Sequence, residues 1–206
     1  GKDQTNRGFL VLVCDGMGGG PGGKTASQIA VNEIIQGVAE AETSETNSNA
    51  LIKAIRRANM AIIQKGNDVP KLKGMGSTVV AVLISKQSVT VAHVGDSRAY
   101  QVRKGAKIYR TFDHSMVFDL VKQKVITEEQ ARLSAQSNII TRALGIKPDV
   151  EVEVEERSYE ARDRFLLCTD GIHGTMPERE LIKLVSSSKL SLGATIDNLV
   201  TKVDMS

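Results

Sequence analysis

The chain has 206 residues with 27 Lys plus Arg against 24 Asp plus Glu. That near balance, without a basic block, argues against nucleic acid or a membrane surface as the main partner. The length suits one domain with a small insertion. No apolar run approaches the ~20 residues of a membrane span, and no basic, small-residue-cleaved leader is visible. The two cysteines, Cys14 and Cys168, lie in apolar segments without Cys-x-x-Cys spacing, which sets aside zinc and thioredoxin readings and suits a reducing, cytoplasmic compartment. Neither reads as a phosphatase nucleophile, since the position six residues on, where a phosphate-cradling arginine belongs, holds Gly20 or Gly174.

In chain order, an apolar strand around residues 9–13 runs into Asp15 and a glycine-rich stretch. Ala26, Ile29, Ala30, Ile34 and Val38, then Leu51, Ile55, Ala58 and Ile62, recur at helical spacing and predict two amphipathic helices around a polar linker at 40–49. Residues 78–85, 89–94, 98–103 and 106–110 read as short strands whose tight connections permit only antiparallel pairing. Thr127-Glu-Glu-Gln130 is a capping box opening a short helix. Val150, Val152 and Val154 alternate with glutamates as in a strand, residues 165–169 form a buried strand, and Pro177 opens a helix. Leu192, Ile196, Leu199, Val200 and Val203 recur at helical spacing behind a Ser191 cap, which places Asp197-Asn198 inside a helix and toward solvent.

The chemistry lies in a repeated pattern. Asp15-Gly16 and Asp170-Gly171 each follow an apolar strand. One such aspartate would read as a turn or helix cap. Two carboxylates delivered to one sheet edge predict a metal site, because buried carboxylates require a cationic partner. A rival reading, a nucleoside triphosphatase, comes from Gly18-Gly-Gly-Pro-Gly-Gly-Lys-Thr25, which satisfies the phosphate-loop signature with Lys24 as its lysine. Against it, Asp15-Gly-Met17 intervenes between strand and loop, and an antiparallel meander is not the parallel sheet that such a loop needs.

Six motifs in register carry a family resemblance: Asp15-Gly-Met-Gly-Gly19 with Ala26-Ser27, Gly76-Ser-Thr78, Val94-Gly-Asp-Ser-Arg-Ala-Tyr100, Asp113-His-Ser115, Asn138-Ile-Ile-Thr-Arg-Ala-Leu-Gly145 and Cys168-Thr-Asp-Gly171. Together they resemble the metal-dependent Ser/Thr protein phosphatases of the type 2C class, in their bacterial variant. The resemblance implies an α+β fold of two packed antiparallel sheets with helices on both outer faces, a single domain over 1–206, and a small flap at 113–145 whose residues 119–137 influence substrate choice. It implies that Asp15 bridges two ions, Mn or Mg, that the Gly16 carbonyl holds one and Asp170 the other, and that Asp96 binds a third. Hard oxygen donors suit those ions better than zinc. The implied reaction is direct attack of a metal-activated water on the phosphoserine or phosphothreonine of a protein substrate, by a monomeric enzyme. Arg98 is expected to pair with a carboxylate beside the site, and His114 and His173 to be hydrogen-bonded structural histidines rather than general acids.

Departures from the family pattern set further expectations. The family's opening Arg and Asn-x-Asp motif and its closing Asp-Asn have no counterpart in place, and Gly20 stands where the family has a histidine proposed as a proton donor. The chain therefore reads as incomplete at both ends, with its second cation weakly held or missing. A catalytically silent member of the same fold, kept for binding or signalling, is the alternative reading.

Overall fold

The computed structural model describes residues 2–17, 20–187 and 189–204. Strands β1 (Lys2–Thr5) and β2 (Gly8–Val13) form a hairpin, and a two-residue strand β3 (Gly16–Met17) follows. Then come two long helices, α1 (Gly20–Glu40) and α2 (Asn47–Asp68). Thr46 caps the second, its hydroxyl accepting from the Asn49 amide at 3.2 Å. Gly37 brings the pair close: a Cβ there would lie 2.8 Å from the Ala54 Cβ. A 3₁₀ turn at Pro70–Leu72 leads into β4 (Gly76–Ser77) and the meander β5 (Val79–Ile84), β6 (Val89–Val94), β7 (Arg98–Arg103) and β8 (Ala106–Arg110).

Beyond the meander, residues 113–145 carry α3 (Met116–Lys122) and α4 (Glu128–Arg132). Thr127 and Gln130 make the reciprocal capping box that their spacing predicts. This segment has its own small core of Val117, Phe118 and Ala131, with Val121 and Ile126 against it. The chain then adds β9 (Glu153–Arg157), β10 (Arg164–Cys168), a one-turn α5 (Asp170–His173), α6 (Glu178–Val185) and α7 (Leu192–Asp204).

Every strand pairing is antiparallel, in a five-stranded sheet ordered β1-β2-β5-β6-β9, a three-stranded sheet ordered β10-β7-β8, and the β3-β4 pair. Alternation along the central strands stacks the layers. Val79, Ala81 and Leu83 of β5, with Ala92 and Val94 of β6, face α1 and α2. Val80, Val82, Val89 and Val91 face the other way, onto Ala99 of β7 and, at the margin, Phe165 and Leu167 of β10. Tyr100, Val102 and Cys168 turn outward onto Leu181, Ile182 and Val185 of α6 and Leu199 of α7. The order is helices, sheet, sheet, helices, as expected. Each fully buried Leu or Val contributes roughly 1.5–3 kcal/mol. A Leu83→Ala change, at a site with no exposure, would cost about 2–5 kcal/mol.

Two local expectations need correction. β9 starts at Glu153, not at Val150, although Val150 and Val152 are buried. The approach to β9 is tied instead to α2, where the Asn59 amide donates to the carbonyls of Lys147 and Pro148. Helix α7 is present and Asp197 is exposed, but only Thr195 and Leu199 are buried along it. Leu192, Ile196 and Val200 stand 66%, 56% and 47% exposed, so the apolar stripe is only partly covered.

Candidate metal centre

Strand register brings the three aspartates to one end of the sandwich. Val13 of β2 pairs with Val80 of β5, so Asp15, two residues on, reaches Thr78. The Asp15 amide donates to the Thr78 hydroxyl at 3.0 Å, the Thr78 amide donates to the Asp15 carbonyl at 2.8 Å, and the Ser77 hydroxyl reaches that carbonyl at 3.0 Å. Cys168 of β10 pairs with Arg98 of β7, so Asp170 emerges past one strand opposite the point where Asp96 precedes the other. Thr78 joins the two arrivals, because its hydroxyl also meets the Ser97 hydroxyl at 2.7 Å. Gly95 packs on it so closely that a Cβ would lie 2.7 Å from the Thr78 Cγ2.

The resulting edge is acidic. Burial raises the Asp15 pKa, and the Asp170 carboxylate raises it further by repulsion and a shared hydrogen bond. Burial pushes Asp96 up to about 6, with Asp170 and then Asp113 adding to the shift. Among the described residues no Lys or Arg pairs with Asp15, Asp96 or Asp170. Asp15 and Asp96, whose charged forms are disfavoured, together with Asp170 make a crowded set of hard oxygen donors with no Lys or Arg partner among the described residues. That chemistry fits Mg²⁺ or Mn²⁺.

The Gly16 carbonyl is set by close packing. A Cβ on Gly23, in the first turns of α1, would lie 2.7 Å from the Gly16 oxygen, and one on Gly16 would lie 1.9 Å from the Gly23 oxygen. This contact also accounts for the glycine run without a phosphate loop. Residues 20–25 are the first turns of α1, not a loop, and β2 runs antiparallel to both of its neighbours. Gly18 and Gly19 of that pattern lie outside the described residues.

Arg98 and Asp113 form a buried two-pronged pair, Nε to Oδ1 at 2.7 Å and Nη2 to Oδ2 at 2.6 Å, and the third guanidinium nitrogen donates to the Tyr100 hydroxyl at 3.2 Å. Phe118 of α3 sits between two guanidinium groups, Arg98 at 4.9 Å and Arg110 at 5.1 Å from the ring centre. Between this base and the acidic edge lies a cleft of about 260 Å³. Asp96 and Asp170 line it from the strand ends, and Asp113, Ala131, Arg132 and Asn138 from the 113–145 segment. His173 lies beneath, its Nε2–H donating to the Asp96 carbonyl at 3.0 Å, and burial pushes its pKa down to about 4.

His114 stands on the far side of the Asp96 turn, with Nδ1 accepting from the Gly95 amide at 3.1 Å and Nε2 facing Glu153 at 3.1 Å. Burial, then neighbouring His93, pushes its pKa down to about 4. His93, Glu153 and Arg142 were invisible as a group in the sequence, because three separate segments supply them. The repeated signal was only Gly95-Asp96 and Asp113-His114. Cys14 and Cys168 are free thiols pushed by burial up to about 12, as inert strand residues would be.

The protein phosphatase 2C family model matches residues 2–199. The serine/threonine phosphatase Stp of Listeria welshimeri is 35% identical over 198 residues, covering 95% of this chain and 78% of that protein. The crystal structure of the serine/threonine phosphatase Stp1 from Staphylococcus aureus superposes with a TM-score of 0.91 at 29% identity, covering 100% of this chain and 82% of that one. The catalytic domain of the serine/threonine phosphatase PstP, solved with 2 manganese ions, gives a TM-score of 0.81 at 29% identity over 98% of this chain and 88% of that one. The chain belongs to the protein phosphatase 2C family.

Proposed function

We propose that this protein serine/threonine phosphatase works with Mn²⁺ or Mg²⁺ held at the edge formed by Asp15, the Gly16 carbonyl and Asp170, with Asp96 serving a further ion. The observation that carries this reading is the trio of carboxylates without a cationic partner at one sheet edge. When bound, the divalent ions acidify a water for attack on phosphorus and neutralise the phosphoryl oxygens. Asp15 and Asp170 would hold the ions from the ends of β2 and β10, and Thr78 ties the Asp15 end to Ser97 beside Asp96. The 113–145 segment acts as a flap, with Arg132 and Asn138 facing the phosphorylated protein substrate across the cleft. Arg98 serves the fold of this wall, since its guanidinium is engaged by Asp113 and Tyr100. A cytoplasmic monomer is part of the same reading, and helices of the chain itself on both outer sheet faces support the monomer; no helix among the described residues is long and apolar enough to cross a membrane.

Phosphate release from a phosphothreonine peptide tests the assignment. Hydrolysis should require Mn²⁺ or Mg²⁺, vanish in Asp15→Ala and Asp170→Ala, and survive in Lys24→Ala. Loss of ATP hydrolysis on Lys24→Ala, with the peptide never cleaved, would overturn it.

A further inference from the structure

His93, His114 and Glu153 each bring one ligand atom to within 4.8 Å of the others. By spacing alone this set resembles a transition-metal triad. Proton placement excludes that role. A neutral imidazole has one acceptor nitrogen, and in His114 it is Nδ1, occupied by the Gly95 N–H at 3.1 Å. Nε2 therefore carries the hydrogen and donates to Glu153 at 3.1 Å. An ion at Nε2 would have to displace that proton in a ring whose other nitrogen is already accepting. It would also lie against the Arg142 guanidinium, whose Nη1 is 3.2 Å from Nε2. Flipping the ring would strand the Gly95 N–H in a buried place.

What the cluster does hold is the turn that presents Asp96. His114 grips Gly95 on both sides: its Nδ1 accepts from the Gly95 amide, and its own amide donates to the Gly95 carbonyl at 2.9 Å. Gly95 has φ of +106°, a backbone shape that few residues other than glycine accept; the rest of the turn is held by His173 on the Asp96 carbonyl and by Ser97 on Thr78, which leaves the Gly95 N–H to His114. The ring itself is fixed by stacking on His93, with centroids 4.5 Å apart and planes 14° apart. His93 is fixed in turn by its Nε2 contact with the Phe112 carbonyl at 2.8 Å. The His114 carbonyl accepts from the Thr141 amide at 2.8 Å, so the same residue joins both roots of the 113–145 segment to the Asp96 turn.

We propose that His114 is a positioning residue for Asp96. Its Nδ1 lone pair, directed by the Glu153 contact at Nε2, holds the Gly95 N–H and so aims the Asp96 carboxylate for a divalent cation. This inference rests on the reading of Asp96 as an ion ligand. Groups that orient a ligand in this way typically change metal affinity by ~10–100-fold when removed.

Two substitutions separate the nitrogens. In His114→Asn the side-chain oxygen can take the place of Nδ1, whereas in His114→Gln the amide reaches the place of Nε2 and the Gly95 N–H loses its acceptor. Calorimetric titration with Mn²⁺ alone should find the weakest site of His114→Gln poorer by ~10–100-fold, with His114→Asn close to the unaltered protein. Without metal, the Gly95 amide should exchange rapidly with solvent in His114→Gln and remain protected in His114→Asn. Equal Mn²⁺ binding by His114→Gln and the unaltered protein, or equal losses in both variants, would overturn the inference. Asp96→Ala serves as the control: if it removes no Mn²⁺ site, the reading of Asp96 fails instead. Nitrogen chemical shifts of the His114 ring in the unaltered protein need no variant to fold. They should show an unprotonated Nδ1 and a protonated Nε2, and the opposite tautomer would refute the proposal.

Discussion

In the metal-free protein, Asp96→Asn should stabilise the fold. The folded-state pKa of Asp96 is raised from 3.8 to about 6, so ionisation opposes folding at neutral pH. A shift of that size corresponds to about 3 kcal/mol at most, and the partial exposure of the site reduces it to about 1–2 kcal/mol. The sign follows from linkage: the penalty is fully present above pH ~6, shrinks as pH falls, and is absent below ~4, where the carboxyl is protonated in both states. In thermal unfolding with a chelator at pH 7.5, the variant should melt about 3–6 °C higher. Saturating Mn²⁺ should reverse the order, since an ion at 100 times its Kd adds about 2.7 kcal/mol and the variant forfeits the share that Asp96 secures. A variant less stable than the parent in chelator, or an equal gain from Mn²⁺ in both, would refute the reasoning.

Three further outcomes follow from the same geometry. Asp113→Ala leaves the buried Arg98 guanidinium, whose side chain is 10% exposed, without its carboxylate, and urea unfolding should show a loss of about 3–5 kcal/mol; a loss below ~1 kcal/mol would mean that Arg98 finds water or another partner. Gly23→Ala places a Cβ 2.7 Å from the Gly16 oxygen, so Mn²⁺ affinity should fall by at least ~10-fold while the circular dichroism of the helices persists; unchanged affinity would remove the Gly16 carbonyl from the site. His114 and His173 are held neutral with pKa values near 4, and a depressed base favours the fold above the unfolded value of ~6.5 and loses that stability as pH falls toward ~4. Burial depresses His93 in the same direction, so the histidines together outweigh the opposing effect of Asp96. The urea midpoint should therefore drop between pH 7 and pH 5, and a flat profile would contradict neutral burial.

The layering was legible because alternation along the meander and the 3.6-residue spacing of Ile34, Val38, Leu51 and Ile55 are direct records of which faces are buried. Asp15 and Asp170 were legible because each follows an apolar strand and opens onto glycine. The joints were not. That Thr78 braces both Asp15 and Ser97 depends on register between three strands, which local pattern does not carry. The His93–His114 stack joins residues from β6 and from the start of the 113–145 segment, and its partner Glu153 looked like one more solvent-facing glutamate in an alternating strand. Helix α3 escaped notice because seven residues give too little periodicity, although Ser115 caps it. The glycine run drew attention to Lys24 when its use is steric: Gly23 lets α1 begin against the Gly16 carbonyl.

The most direct test of the account is an anomalous-scattering map from crystals of the protein soaked in Mn²⁺. The account predicts a peak between the carboxylates of Asp15 and Asp170 beside the Gly16 carbonyl, with a weaker one at Asp96, and none at His93, His114 and Glu153. A map with no density at the aspartate edge, or with its strongest peak at the histidine pair, would contradict it.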